Sequence, residues 1–162
     1  GSEASHTFHG RDVYAYTGAR LAARAINFEE IGPILAPEVL NIPFEAARID
    51  DNKLIGGIPI LDPAYGNVWT NIPMSLLLSL TKSKDYASLY TQEFLVTVAQ
   101  GNKLVLSETI SFERSFAGVK EGQPLLYVNS LENLALALNQ ANFAAKFKIQ
   151  AGGEWRIEIV TK

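Results

Sequence analysis

Residues 154–160 read EWRIEIV, with Trp155, Ile157 and Ile159 alternating against Glu154, Arg156 and Glu158. A period of two with one apolar and one charged face predicts a half-buried strand. Further strands are expected at 43–49, 53–61, 93–99, 103–112, 124–129 and 133–139, separated by turns rich in Gly and Asn. Near the start the period changes. In RDVYAYTGARLAARAI, residues 11–26, Tyr14, Gly18, Leu21, Ala22 and Ala25 recur at helical spacing, and the alanines favour a helix. The stretch stops at Asn27, and Gly32-Pro33 and Ala36-Pro37 then break the chain twice. PMSLLLSLT at 73–81 carries Pro at a helix start, and a second short helix is expected around 141–148. The pattern therefore predicts a helical segment, 1–35, with no sheet of its own, followed by a mainly β domain, 36–162. Several short strands at this spacing fit a small antiparallel β-barrel or sandwich.

Length and composition narrow the functions. A chain of 162 residues can bury a substantial core. With 14 Lys and Arg against 17 Asp and Glu, it has no general attraction for phosphate, so nucleic acid is not expected as a partner. No apolar run reaches the roughly 18 residues of a membrane span, so no membrane partner is expected either. Cysteine is absent, which removes disulfides and thiolate metal sites, and two histidines, His6 and His9, do not make a multi-histidine metal site. The zero cysteine count and the lack of a signal segment lead us to expect a cytoplasmic protein. The opening Gly-Ser fits the scar of a cleaved tag, and a longer gene product is expected.

One stretch is too chemically rich for a plain connection. DPAYGNVWTN, residues 62–71, packs an Asp, a Tyr, two Asn and a Trp between two apolar runs. Two others stand with it in chain order, TFHGRDVYAYTGARLA at 7–22 and LLYVNSLENLALALNQANFAA at 125–145. Together they resemble the S-adenosyl-L-methionine (SAM) hydroxide adenosyltransferase family, the SAM hydrolases related to fluorinase and chlorinase. The resemblance implies the end of an N-terminal α/β domain joined to a complete C-terminal β-barrel, with SAM bound between subunits of a homotrimer. It also implies a reaction at the ribose C5′ carbon, in which water displaces methionine and gives adenosine. SAM is then a substrate, and no cofactor is expected. Neutral methionine leaves a sulfonium without needing an acid, so the task is to hold and partly desolvate the nucleophile. Without the rest of the first domain, this chain alone is expected to be inactive.

The resemblance also assigns residues. His9 matches the histidine that assists the attacking water. Asp62 matches the acceptor of the substrate's α-ammonium group, a charge-assisted contact. Tyr65 offers a flat apolar face to the sugar or purine, and Asn67 carries both donor and acceptor for the adenine edge. Phe116 matches an aromatic facing Tyr65, with Phe112 as its rival. Ser130 matches a hydroxyl at the methionine end, and Gln140 offers its backbone to adenine. Trp69, Thr70 and Asn71 are read as packing and loop hydrogen bonds, and Arg11 and Asp12 as a local pair or a cap of the helix start. Each of these has a local alternative: a turn start at Asp62-Pro63, a barrel plug for Tyr65, a left-handed turn residue for Asn67, a core aromatic for Phe116. The chain also departs from the family. Gly10 replaces a halide-binding serine, which disfavours fluorination. Leu131 replaces an arginine, Glu132 a glycine, and Phe143 is bulky enough to narrow the pocket. These departures keep open a second function, a non-catalytic nucleoside-binding or oligomerisation barrel.

Overall fold

A computed structural model describes residues 8–41 and 45–162. The chain divides into two compact units, Gly1–Leu40 and Asn41–Lys162; the sequence reading ended the first part at 35. Of the expected strand 43–49, residues 43 and 44 lie outside the described residues, as does His6.

The first unit is helical, as its spacing predicts, but not one regular helix. A π-helical turn, Gly10–Ala15, runs directly into α1 (Tyr16–Ala22). Left-handed backbone at Arg24, φ 56°, stops it before the expected end at 26. A short 3-10 turn, Phe28–Glu30, follows, with Asn27 and Glu30 forming a reciprocal capping box. No described residue of α1 is buried.

The second unit is mainly β, and its strands form two antiparallel sheets. β1 (Arg48–Asp50), β2 (Lys53–Ile58), β9 (Gly152–Thr161), β5 (Glu93–Gln100) and β6 (Lys103–Ser111) make the first, in that order. β3 (Ile60–Asp62), β4 (Asn67–Pro73), β8 (Asn133–Leu138) and β7 (Pro124–Val128) make the second. The expected barrel would need these ladders to close into one ring. Among the described residues the hydrogen-bonded order is instead five strands and four, joined beyond the ladders by a single bridge, Phe112 to Leu126.

The expected strand 53–61 is in fact two strands, one in each sheet. Pro59 lacks the N–H that a continuing ladder would use, and the β2–β9 register slips between Gly57 and Ile58. Gly56 is needed at this crossing, because a Cβ there would collide with the Ile72 side chain of β4. Asn71 ties the two sheets: its amide oxygen accepts from Gly57 N–H at 2.8 Å, and its Nδ2 donates to Glu45 carbonyl at 2.7 Å. Thr70 is equally structural, its hydroxyl donating to Leu134 carbonyl at 2.7 Å while accepting from Ile72 N–H at 3.1 Å.

The core lies between the sheets. Leu54, Ile159 and Val96 align across β2, β9 and β5 on the inner face of the first sheet. Leu61, Val68, Leu136 and Leu126 align across all four strands of the second. α2 (Met74–Thr81) starts immediately after Pro73 and drives Met74 and Leu77 into the same core. α3 (Phe143–Phe147) lies within the expected 141–148, capped by the Asn142 side chain, which accepts from Ala145 N–H at 2.7 Å. Phe143 is fully buried against Phe147, ring centroids 4.6 Å apart, so it fills core and does not narrow a pocket as expected.

Candidate functional site

The second sheet has another face, and the alternation along its strands decides what stands there. Where Val68 and Leu136 point into the core, their neighbours Asn67, Trp69 and Ala135 point away. Trp69, Ala135 and Tyr127 form one row across β4, β8 and β7. Asp62 and Asn67 face each other one step along β3 and β4. Ala135, fully covered, lies between the Trp69 and Tyr127 rings in this row. Phe116, from a 3-10 turn after β6, leans over Tyr127 with centroids 5.3 Å apart.

A cleft of about 450 Å³ is lined by Tyr65, Asn67, Phe116, Asn139, Gln140 and Ala141 among others. Four residues singled out from sequence, Tyr65, Asn67, Phe116 and Gln140, thus meet in one place from three separate parts of the chain. Tyr65 is largely exposed and Gln140 has left-handed backbone, φ 56°. Phe112, the rival to Phe116, is fully buried and stacked on Tyr90, so it takes no part.

Asn67 is the unusual member. It is 3% exposed, and its side-chain oxygen has no hydrogen-bond partner among the described residues. Its neighbour Trp69 likewise has a buried, unpaired indole N–H. Such groups are rarely left unsatisfied, and each costs roughly 1–3 kcal/mol when they are. The Tyr127 hydroxyl lies near both, without making a hydrogen bond of good geometry to either orphaned atom. Sequence reading passed over Tyr127. The alternation of Leu125 and Tyr127 opposite Leu126 and Val128 was the signal that placed its ring on the polar face.

Burial pushes the Tyr127 phenol above its ordinary pKa, and the nearby Asp62 charge adds to this, while Trp69 and Asn67 pull it back. The folded state therefore keeps this proton when the unfolded chain has lost it. Stability is then lost as pH rises from the unfolded value of about 10 towards the folded one. Ultraviolet titration should show a late-ionising phenol that disappears in Tyr127→Phe, and that variant should lose less stability in alkali.

Three sequence assignments fall elsewhere. Asp62 closes the turn into β4: its carboxylate accepts from Ala64 N–H at 3.2 Å and its carbonyl from Gly66 N–H at 2.7 Å. It lines an adjoining groove with Asn142 and Lys148 instead of the cleft around Asn67. Ser130 is exposed in the turn between β7 and β8, which Asn129 organises by accepting from the N–H groups of Leu131 and Asn133. His9 belongs to the first unit, exposed at the start of its π-helical turn. Beside it Arg11 and Asp12 pair at 2.6 and 2.8 Å, as expected, which lowers the carboxyl pKa of Asp12. Among the described residues no cluster of His, Asp or Glu suits a metal ion, and no helix is long and apolar enough to cross a membrane.

Comparison with known proteins places this arrangement. Residues 56–156 match the family model of the SAM hydroxide adenosyltransferase C-terminal domain. The chain is 29% identical over 157 residues to a fluorinase from Nocardia brasiliensis, covering 94% of this chain and 48% of that protein. It is 27% identical over 158 residues to an (R)-S-adenosyl-L-methionine hydrolase from Salinispora tropica, covering 97% of this chain and 52% of the relative. A crystal structure of an uncharacterized conserved protein from Thermotoga maritima superposes with a TM-score of 0.62 at 30% identity, over 96% of this chain and 53% of that one. The chain thus spans about half the length of the curated relatives it matches. It belongs to the SAM hydroxide adenosyltransferase family and carries that family's C-terminal domain.

Proposed function

We propose that this chain is the substrate-binding C-terminal part of a SAM hydrolase. In the reaction, water attacks C5′ of SAM and forms the C5′–O bond. The C5′–S bond breaks with its electron pair left on methionine sulfur, and the water gives up a proton, yielding adenosine and L-methionine. The observation that carries the reading is the buried, unpaired amide oxygen of Asn67 beside a cleft flanked by Tyr65 and Phe116. A purine edge supplies the missing donor, and the two rings supply flat apolar walls. Gln140 stands at the same cleft with its backbone available to adenine. Asp62 takes the substrate's ammonium group in the neighbouring groove and Ser130 holds the methionine end. On this reading His9 assists the water, and the site is completed by another subunit in a cytoplasmic homotrimer. The isolated chain then binds but does not turn over.

A non-catalytic nucleoside-binding barrel is the second reading. What favours it is that Asp62 and Ser130 do not share the cleft with Asn67, and that exposed Leu131 stands where the resemblance calls for an arginine.

Thermal unfolding with millimolar adenosine or SAM separates these. A ligand at 100 times its Kd adds about 2.7 kcal/mol. Both ligands should raise the midpoint, Asn67→Ala should abolish both shifts, and Asp62→Ala should abolish only the extra stabilisation by SAM. Equal shifts with the two ligands, indifferent to Asp62→Ala, would select the nucleoside-only module. A flat response to both ligands would sink the binding assignment.

A further inference from the structure

A second cavity, of about 490 Å³, lies between α2, the segment Tyr86–Tyr90 and the residues that follow β6. It shares no lining residue with the cleft around Asn67, and it opens beside Val128, which stands on the opposite face of β7 from Tyr127.

Its distinguishing feature is Glu113, only 7% exposed. The backbone fixes this residue, since its N–H donates to Leu126 carbonyl at 2.8 Å. The side chain packs over Gly118, where a Cβ would strike the carboxylate. No ion pair or side-chain hydrogen bond reaches that carboxylate among the described residues. A largely buried carboxylate that opens on a cavity without a counter-charge favours a cation beside it.

The rest of the lining fits a cation that carries carbon. Tyr86 and Tyr90 meet edge to face, centroids 6.2 Å apart, and Tyr90 is braced by stacking on Phe112 at 5.7 Å. Aromatic faces attract ammonium groups. Met74 and Leu78 of α2 supply an apolar wall. Glu132 adds a second carboxylate and Arg114 one guanidinium, which leaves the lining with one negative charge in excess.

We propose that this cavity is a second ligand site, for a monovalent alkylammonium ion. Its charged head sits on Glu113 and against the tyrosine pair, and its alkyl body lies on Met74 and Leu78.

Calorimetric titration of the 162-residue chain with n-butylammonium chloride, and with n-butanol at the same ionic strength, tests this. The ammonium should bind saturably and the alcohol should not. Glu113→Gln should weaken binding at least tenfold while unfolding no earlier than the parent, because it removes an unpaired buried charge. Tyr86 is 53% exposed, so Tyr86→Ala should fold normally and still bind several-fold more weakly. Asn67→Ala should leave the titration unchanged, which keeps this site distinct from the nucleoside cleft. Absence of saturation, equal uptake of the alcohol, or an unchanged affinity in both Glu113→Gln and Tyr86→Ala overturns the proposal.

Discussion

Replacing Asn67 with leucine should make the protein more stable and remove adenosine binding together. The two side chains are close in size, and the position is 3% exposed. In the parent the amide oxygen is buried without a partner, at a cost of roughly 1–3 kcal/mol. Leucine relieves this and adds apolar burial next to Ala137 and Leu125, which follow it across β8 and β7. A gain of about 1–2 kcal/mol is expected, raising Tm by roughly 2–8 °C for a chain of this size. The adenosine-induced shift should vanish because nothing remains to accept from the purine edge. Asn67→Ala loses the same ligand contact but leaves a void, so it should not share the gain. A fall in Tm for Asn67→Leu would mean that the oxygen is satisfied in solution, and the argument from its missing partner would fail. Sites that bind ligands through buried polar groups commonly give up stability in this way.

The second large effect is expected at Gly66. Its backbone is left-handed, φ 71°, where a side chain costs about 1–2 kcal/mol. A Cβ there would also collide with the side chain of Asn142, whose oxygen caps α3. Loss of such a cap costs about 1 kcal/mol. Gly66 carbonyl also accepts from Ala144 N–H at 2.9 Å, so the turn and the helix are tied twice. Gly66→Ala should therefore destabilise by about 2–3 kcal/mol, lowering Tm by roughly 4–12 °C. Adding Asn142→Gly removes the collision but leaves the strained backbone. The double variant should recover part of the loss, and a purely additive result would show that the two residues do not meet. Because Gln140 and Ala141 lead directly into α3, displacement of that helix should also weaken adenosine binding.

The β hairpins and the short helices were legible because their signals are local. EWRIEIV carries its own period, and Pro73 marks the start of α2 without help from distant residues. The stretch 53–61 misled for the opposite reason. After Lys53 it has no polar side chain, and Pro59 alone does not say that Ile58 belongs to one sheet and Ile60 to the other. The change of sheet is imposed by Pro59 together with the approach of Ile72 to Gly56, which lies 16 positions away in sequence. DPAYGNVWTN was singled out as a candidate site but read as a loop. Its second half is β4, where Val68, Thr70 and Ile72 are buried as alternate residues.

The sequence by itself determined the kind of protein: a β-rich chain with a helical lead, no disulfides, and motifs marking it as a relative of the SAM hydroxide adenosyltransferases. Residue type and short-range spacing are enough for that, because periodicity and turn chemistry act within a few residues. Only the tertiary structure decided which residues share a site. It brought Asn67, Phe116 and Gln140 to one cleft, sent Phe112 and Phe143 into the core, and put Asp62, opposite Asn67 in register, at an adjoining groove. It also brought out Tyr127, half-buried beside unpaired groups, and Glu113, buried without a counter-charge. Burial and pairing depend on strands far apart in the chain. They come into being when the sheets pack, and so no local pattern records them.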